Sequence, residues 1–325
     1  EKESSAASAQ SFIEKGKVDL TIFTQLLISG ILLGGIYALS SIGLTLIFGV
    51  MKIVNFAHGE YLMLAMYATF WLFTLTGMDP YLSIFVVGPI MFTLGWVSYR
   101  FFVRHTIGKS HLAQIFVTVG ISTVIQNVVL LFWSADFRTI SLAYARSPII
   151  IGPFPALGME ELIINPARLI AFVLGMGLAL IFYLFIKKSY TGKVIRATSQ
   201  DRSTALLMGI NIDRVFMLTF AIGLLMVGVA GALMMPIFTA HPFVGFEFVL
   251  IMFVVVVLGG MGSIAGAVIA GLFIGVLEVF SSFLISPESK QAIYFIVFIA
   301  VLVVKPSGLF GMKGEEELER IEAID

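Results

Sequence analysis

Three residues that could do chemistry stand close together in the stretch Lys52–Leu64, which is apolar on both sides. They are Asn55, His58 and Glu60, which bring an amide, an imidazole and a carboxylate into one short segment. Groups of these types could relay a proton, bind a metal ion, touch a passing substrate or satisfy backbone groups at a helix break. Ionisable residues inside apolar segments are rare and usually face the interior of a helix bundle.

A structural role is the favoured interpretation of this stretch. Asn55 fits the position that caps a helix start, with His58 at the third helical position, so that free backbone N–H groups gain partners. Contact with a transported substrate is the alternative for Asn55, His58 and Glu60. A metal site needs roughly three or four ligands, and the other histidines belong to other segments, so no metal is expected.

The sequence lacks the residue sets of known catalytic sites. It has no cysteine, which excludes disulfides, thiolate catalysis and cysteine-bound metal. It also has no HExxH motif, no GxSxG motif with partner residues and no paired aspartates in facing segments. We therefore expect no catalytic residue, no cofactor and no enzymatic activity in this chain.

The composition indicates a membrane protein. Of the 325 residues, 59% are hydrophobic and 12% are charged, whereas about one-quarter of a soluble domain is charged. The net charge is zero, so no nucleic-acid partner is expected. Long apolar runs predict an all-α polytopic membrane protein with about eight to nine transmembrane segments. They lie near residues 21–49, 56–76, 81–103, 112–134, 168–188, 214–239, 247–259, 264–285 and 291–304.

One of these segments, 247–259, is too short to cross a membrane and runs into the string GGMGS. Glycine at this density breaks a helix, so the segment is predicted to be a half-helix or a re-entrant segment. No strand precedes the string, so it is not a nucleotide-binding loop. A second interrupted stretch, 52–60, lies in the first half of the chain. Paired breaks point to a substrate path at the middle of the membrane, here through Gly259, Gly260, Gly262 and Ser263.

Small residues recur at four-residue spacing from Gly262 to Gly275. Residues of this size at this spacing allow two helix backbones to approach closely. We therefore expect tight helix packing along the segment 264–285, rather than a binding function for these glycines.

Lysine and arginine in the connections predict the orientation of the chain. The connections 100–109 and 187–214 carry a clear excess of these residues, so both are expected to be cytoplasmic. Counting segments then puts the N-terminus outside and the C-terminus in the cytoplasm. The chain divides into a polar tail over 1–20, a transmembrane domain over 21–311 and an acidic tail over 312–325. The acidic tail is expected to be a solvated end.

The cytoplasmic connection over 190–213 is predicted to hold a short helix. The string TSQD at 198–201 fits the capping-box pattern, so the helix is expected from about Ser199 to Met208. Gly209 with Asn211 supplies a C-terminal stop. The helix has an apolar side formed by Ala205, Leu206 and Leu207. Two interpretations fit these residues equally well: a helix that lies on the bilayer surface or packs on its own protein, and a docking helix for a cytosolic partner.

Four strings give the chain a resemblance to a known family. They are GLTLIFGVMKIVNFAHGEYLML, LMGINIDRVFMLTFAIG, VLGGMGSIAGAVIAGLFIGVLE and the closing KPSGLFG. Together they resemble the integral membrane permease of branched-chain amino acid ABC importers, and the H-type subunit more closely than the M-type subunit. The resemblance covers most of residues 21–311 in the same order.

The resemblance implies an ABC importer permease fold and a set of partners. The chain would pair with a homologous second permease in the lipid of a bacterial inner membrane, as a heterodimer rather than a homodimer. Two cytosolic ATPases would hydrolyse ATP, and a periplasmic binding protein would deliver the substrate. The short cytoplasmic helix would be the coupling helix that docks on an ATPase. The residues assigned to this docking are Arg196, Thr198, Ser199, Asp201, Ala205, Leu206 and Gly209.

The sequence leaves more than one substrate and more than one class of transporter open. Branched-chain or other amino acids are expected, but Ile251 stands where many members of the family have lysine. Related permeases carry urea, short amides or small organic acids. The rival of another class is an ion-coupled secondary transporter or channel, with His58 and Glu60 as the coupling pair. An ATPase-docking helix distinguishes the two classes, because an ion-coupled carrier needs none.

Overall fold

The computed structural model of the chain describes residues 2–154, 160–287, 290–305 and 307–311, and it describes side chains from residue 20 onward. A 3₁₀ turn at Val103–Thr106 follows the third helix, and the strands β1 (Ile149–Ile151) and β2 (Leu162–Ile164) pair antiparallel. The helices are α1 Lys2–Met51, α2 His58–Thr76, α3 Ile84–Phe101, α4 His111–Trp133, α5 Pro166–Lys188, α6 Tyr190–Gln200, α7 Arg202–Leu207, α8 Ile212–Met234, α9 Val244–Gly259, α10 Ile264–Leu284 and α11 Lys290–Val304.

The helices lie where the apolar runs predicted them. Each predicted membrane segment corresponds to one helix, α1 to α5 or α8 to α11, so the all-α polytopic fold class is confirmed. Within the described residues, six helical stretches are long and apolar enough to cross a bilayer. They are Leu20–Met51, Ile84–Thr106, His111–Trp133, Pro166–Lys188, Ile212–Met234 and Ile264–Leu284. The helices α9 and α11 are shorter and also apolar.

Two helices form the centre of the bundle. The most apolar stretch of α1 is 89% buried and that of α8 is 78% buried, against 11% for α4. Helix α1 packs along α10, and α3 packs along α8. Helix α4 is therefore peripheral, and most of its surface is available to lipid or to another chain.

Glycines allow α1 and α10 to touch backbone to backbone. A Cβ atom added to Gly275 would lie 2.3 Å from the Cα atom of Gly34. One added to Gly271 would lie 2.6 Å from the Cα atom of Ala38. The close packing predicted from the small-residue spacing is thus confirmed, and no larger residue fits at these positions without moving a helix.

The structure describes the backbone of the predicted N-terminal tail but not the predicted C-terminal tail. Helix α1 begins at Lys2, so the backbone of the predicted polar tail continues the first helix. The acidic tail over 312–325 lies outside the described residues. The boundaries of the three parts stay a prediction.

Candidate functional site

The first break lies between α1 and α2. Helix α2 begins at His58, whose backbone N–H donates to the carbonyl oxygen of Asn55 at 3.2 Å. The residue before the helix, Ala57, makes no side-chain capping bond. The predicted N-cap role of Asn55 is therefore wrong, and His58 is the first helical residue rather than the third. The acidic residue Glu60 lies in the first turn of α2, where the helix dipole favours a carboxylate.

His58 lies at the level of the middle of helix α8. A Cβ atom added to Gly43 of α1 would lie 3.3 Å from the His58 Cε1 atom and 2.4 Å from the carbonyl oxygen of Gly223. Gly223 stands at the midpoint of α8, which is long enough to span the bilayer. The chain therefore turns back into the bundle over residues 52–57 before α2 begins.

Helices α2 and α9 meet at two glycines near their starts. A Cβ atom added to Gly59 would lie 1.9 Å from the carbonyl oxygen of Gly245, and one added to Gly245 would lie 2.7 Å from that of Gly59. We call this contact the helix crossing. The sequence indicated 52–60 and 259–263 as the two interrupted stretches of the two halves. In the structure the first of them packs against the residues around Gly245 at the start of α9, a third interruption that was not singled out from the sequence. The sequence feature that could have pointed to close packing at this place is Gly245, a glycine inside an apolar run.

Several polar atoms near the crossing make no hydrogen bond of normal geometry within the described residues. One carboxylate oxygen of Glu60 accepts a hydrogen bond from the Ser122 hydroxyl at 3.3 Å, and the other has no partner. The side-chain amide of Asn55 is also buried without a partner, and the ring of His58 has only the backbone of Ser40 nearby, outside normal hydrogen-bond geometry. Buried polar groups are normally hydrogen-bonded, so these groups are available to form hydrogen bonds with water or with a passing substrate.

The second break, between α9 and α10, has the predicted glycine geometry. Helix α9 ends at Gly259, and Gly260 and Gly262 have φ angles of 94° and 87°, which disfavour any residue with a side chain. The hydroxyl of Ser263 accepts a hydrogen bond from the N–H of Gly266 at 3.1 Å and caps α10. Over its 16 residues α9 is about 24 Å long, so it is a half-helix as predicted.

This second break lies at the end of the bundle rather than at its middle. A Cβ atom added to Gly262 would lie 3.1 Å from the Cα atom of Gly49, which is close to the end of α1. The backbone N–H of Leu309 donates to the carbonyl oxygen of Leu258 at 2.8 Å, so the closing segment packs there too. The predicted midplane location of GGMGS is therefore wrong. Both breaks disrupt a helix, but only the first one enters the bundle.

A cavity of about 470 Å³ opens beside the second break. It lies between the ends of α1 and α5, the start of α10 and helix α6. Its polar lining includes Thr45, Lys187, Arg196, Ser199 and Ser263. The break thus borders the basic connection that was predicted to be cytoplasmic.

The connection between α5 and α8 holds two helices where one was predicted. Helix α6 covers residues 190–200, so Thr198 and Ser199 lie inside it and do not cap a helix. The cap of α7 is Asp201, whose carboxylate accepts hydrogen bonds from the N–H groups of Ser203 at 2.8 Å and Thr204 at 3.1 Å. The Ser203 hydroxyl, followed by that of Thr204, lowers the pKa of Asp201 well below its usual value. The predicted capping box is wrong because a single aspartate performs the capping.

The apolar side of α7 is divided between the protein and its surroundings. Ala205 is buried, whereas the side chains of Leu206, Leu207 and Met208 are 59%, 87% and 77% exposed. Gly209 ends the helix with a φ of 80°, as predicted. Asn211 instead caps α8 by accepting a hydrogen bond from the N–H of Arg214. We call residues 206–208 the exposed α7 patch.

Arginines fasten this connection to the membrane helices. A guanidinium nitrogen of Arg202 lies 2.7 Å from the carbonyl oxygen of Met51, the last residue of α1. Arg104 pairs with Asp213 at 3.0 Å, and the Tyr99 hydroxyl donates to the same carboxylate at 2.9 Å. Burial lowers the pKa of Arg202. The sequence marked Arg202 only as one more basic residue, since nothing in its spacing indicated a contact with α1.

Arg196, assigned to docking from the resemblance, also has a partner within the chain. Its guanidinium donates to the carbonyl oxygen of Ile186 at the end of α5. The buried face of α6 carries Ile195 and Thr198, so α6 packs on the bundle through this face. The solvent side of the connection is therefore presented mainly by α7.

Comparison with known proteins gives one consistent family. The model of a family described as "Branched-chain amino acid transport system / permease component" matches residues 26–302. The high-affinity branched-chain amino acid transport system permease proteins LivH of Salmonella typhimurium and of Escherichia coli K12 are each 33% identical, over 92% of this chain and 98% of their own length. BraD of Pseudomonas aeruginosa, described in the same words, is 30% identical over the same shares.

No solved structure matches the chain. The family model covers most of the chain, and the relatives cover nearly all of it, so the match includes the helix crossing, the second break and the exposed α7 patch. The resemblance noted in the sequence is confirmed. The chain belongs to the family of branched-chain amino acid transport system permease components.

Proposed function

We propose that the chain is the permease subunit of an ABC importer that carries branched-chain amino acids across a bacterial inner membrane. Family membership and the names of the relatives support this function. The single structural observation that supports this function is the exposed α7 patch, which no described residue of the bundle covers. A leucine pair and a methionine in this position fit insertion into a cleft on a cytosolic ATPase.

In this proposal, ATP is hydrolysed on two separate ATPase subunits, and this chain supplies only the membrane path. Closure of the ATPases would push on α7, and Arg202 would transmit the movement to the end of α1. Asp201 caps the start of α7, and Gly209 ends it. The residues Arg196, Thr198 and Ser199 belong to the neighbouring helix α6, which packs on the bundle beside the cavity. These residues would position the coupling surface rather than touch the ATPase.

The path itself is assigned to the helix crossing. Two helices that start inside the membrane direct the positive ends of their dipoles into the bundle, as in other transporter binding sites. The buried polar groups of Asn55, His58 and Glu60, which include an unpartnered amide and an unpartnered carboxylate oxygen, stand beside this point. The second break, at Gly259, Gly260, Gly262 and Ser263, would act as a hinge between α9 and α10 next to the coupling connection.

A second permease would complete the path, with a periplasmic binding protein on the outside. A homologous second permease, forming a heterodimer with this chain, is proposed over a second copy of this chain. The N-terminus would lie outside and the C-terminus in the cytoplasm, because the basic connections lie on the side of α6 and α7. Peripheral helices such as α4 would face lipid or the second permease.

The test is reconstitution of the whole importer in liposomes, using the ATPases, second permease and binding protein encoded beside this chain. Uptake of radiolabelled leucine, isoleucine or valine should require internal ATP and the binding protein. Urea, acetamide and a small organic acid, offered in parallel, test the alternative substrates. Uptake driven by a proton or sodium gradient without ATP would instead support an ion-coupled carrier.

A further inference from the structure

The cavity beside the second break lies where α1 and α5 end and α10 begins. Its floor is formed by residues between Thr45 and Val50 of α1, and its walls by the last residues of α5, the first residues of α10 and helix α6. Thr45 stands six residues before the end of α1, so the cavity reaches roughly 9 Å along that helix. A space at this level extends from the headgroup region of a bilayer into its hydrocarbon.

The cavity is a gap between two helices that both pack on α1. Further along the bundle α1 is covered on both sides. A Cβ atom added to Gly35 would lie 2.3 Å from the Phe172 ring of α5, and Gly271 of α10 touches Ala38. Two turns later α5 and α10 no longer cover α1 together, and the cavity lies between them.

The cavity borders the membrane-facing surface of the bundle. Tyr183 in the α5 wall and Ala265 in the α10 wall are both exposed, and Ile269, one turn further along α10, is 47% exposed. Both helices are long and apolar enough to cross a bilayer. A molecule dissolved in the bilayer can therefore reach the cavity from the side.

The charged residues that line the cavity are both cations, Lys187 and Arg196. Among the described residues, no aspartate or glutamate forms an ion pair with either of them. The Lys187 ammonium lies 5.6 Å from the centre of the Tyr183 ring in the α5 wall. The Arg196 guanidinium donates to the carbonyl oxygen of Ile186, and because a guanidinium carries several N–H donors, others remain for an anion.

The rest of the lining combines hydroxyl groups with an apolar wall. The hydroxyls belong to Ser199 and Ser263, and the apolar wall includes Ile186, Ile195 and Ile264. Cations with hydroxyl donors suit a phosphate group, and apolar side chains suit an acyl chain. A free phosphate would leave the apolar wall uncovered, and an apolar peptide would leave both charges unpaired.

We propose that this cavity binds an anionic phospholipid, with its phosphate held by Lys187 and Arg196 and an acyl chain against the apolar wall. Basic pockets between membrane helices at a cytoplasmic face bind lipid headgroups of this charge, and the basic connections favour that face here. Lipid binding goes beyond the proposed function, because it does not depend on what the importer carries. A lipid in this place would touch Ser263, beside the proposed hinge.

The test is photocrosslinking in the complete importer. The importer is reconstituted in phosphatidylcholine liposomes that contain a small fraction of phosphatidylglycerol with a photoreactive diazirine on one acyl chain. Mass spectrometry should map the adducts to peptides from the ends of α1 and α5 and from the start of α10.

Lys187→Gln should reduce these adducts roughly fivefold, which is the effect of one basic residue on the binding of an anionic lipid. Lys187→Arg keeps the charge and should keep the adducts. The matched control is Lys188→Gln, which removes an exposed charge from the same turn of α5 but does not line the cavity, and it should leave the adducts unchanged.

A second variant fills the cavity without changing its charge. Ala265 lines the cavity and is exposed, so Ala265→Leu should fold normally and still reduce the adducts. Co-purification of the second permease and the ATPases checks that the complex is intact. Undiminished adducts in an intact Ala265→Leu complex would place the lipid elsewhere.

Other results would also overturn the lipid site. Absence of adducts from the cavity peptides would mean that another chain, such as the second permease, covers this face. Equal losses in Lys187→Gln and Lys188→Gln would indicate general attraction to the membrane surface. Equal labelling by photoreactive phosphatidylcholine would show that the headgroup charge is not recognised, and competition by inorganic phosphate as strong as by unlabelled phosphatidylglycerol would indicate a site for a free anion. These measurements do not use uptake, so they remain readable if the proposed function fails.

Discussion

The guanidinium of Arg202 donates a hydrogen bond to the main-chain carbonyl oxygen of Met51, with a nitrogen–oxygen distance of 2.7 Å. Met51 ends α1 and Arg202 begins α7. The same guanidinium lies 4.9 Å from the centre of the Phe216 ring in α8. Since the chain runs on from the end of α1 through residues 52–57 to the helix crossing, this contact links the connection that carries the exposed α7 patch to the interior of the bundle.

Arg202→Ala should weaken the coupling between ATP hydrolysis and transport. Loss of a hydrogen bond from a charged group, together with its ring contact, should reduce uptake roughly tenfold. ATPase subunits should still co-purify, because the exposed α7 patch is intact. The measurement is the ratio of leucine transported to ATP hydrolysed. Arg214→Ala, which removes an exposed arginine nearby, should leave that ratio unchanged.

If Arg202→Ala and Arg214→Ala give the same ratio as wild type, α1 is not the element that α7 moves. A route through Asp213 and Arg104 at the start of α8 would then be the one to examine.

Gly245→Ala should stop transport without removing the protein from the membrane. The added Cβ atom would lie 2.7 Å from the carbonyl oxygen of Gly59, so α2 and α9 must separate. A displacement of this kind at a functional site can lower a rate about 100-fold. Gly120→Ala, whose added atom meets nothing within 4 Å, is the control. Normal uptake by Gly245→Ala would show that the crossing tolerates opening and is not the narrow part of the path.

Much of the fold could be predicted from the sequence because membrane helices require long apolar runs, and each run produced a helix. The glycine break at 259–263 was also readable, since positive φ angles favour glycine. The contact between Gly59 and Gly245 could not be predicted from the sequence, because it depends on how two distant segments pack. Asn55 looked like a cap by residue type, but the chain at 52–57 returns into the bundle and starts α2 three residues later.

The cap of α7 should be insensitive to pH in the physiological range. Hydrogen bonds hold the pKa of Asp201 well below its usual value, so the carboxylate stabilises the folded helix at all pH values above the ordinary aspartate pKa. This stabilisation falls only as the pH drops from that value through the lowered one. Amide exchange at Ser203 and Thr204, corrected for intrinsic rates, should show constant protection from about pH 5 to pH 8.

Asp201→Ala should lose that protection at every pH, while Asp201→Asn should keep part of it, because the amide oxygen still accepts. A step in protection between about pH 5 and pH 8 in wild type would mean that another group holds α7.

The orientation can be tested with single cysteines, since the chain contains none. Lys109 and Arg146 are both exposed and lie in connections predicted to be on opposite sides of the membrane. In intact cells, an impermeant thiol reagent should label Arg146→Cys and leave Lys109→Cys unlabelled until the inner face is opened. The reverse pattern would invert the topology and place α7 outside, which is incompatible with docking on an ATPase.

The central claim is that the exposed α7 patch couples this permease to an ATPase. Leu206 is 59% exposed in this chain, so Leu206→Asp should not disturb the fold, but it would put an unpaired carboxylate into the docked contact. The matched control is Gln200→Asp, which changes an exposed residue at the end of α6.

The decisive measurement is ATPase co-purification and ATP-driven leucine uptake by Leu206→Asp in the reconstituted importer. Both should fall together by roughly tenfold or more, since a buried unpaired charge opposes docking, while the second permease stays bound and Gln200→Asp behaves as wild type. If Leu206→Asp retains both its ATPase and its uptake, α7 is only a surface helix and the coupling claim is contradicted.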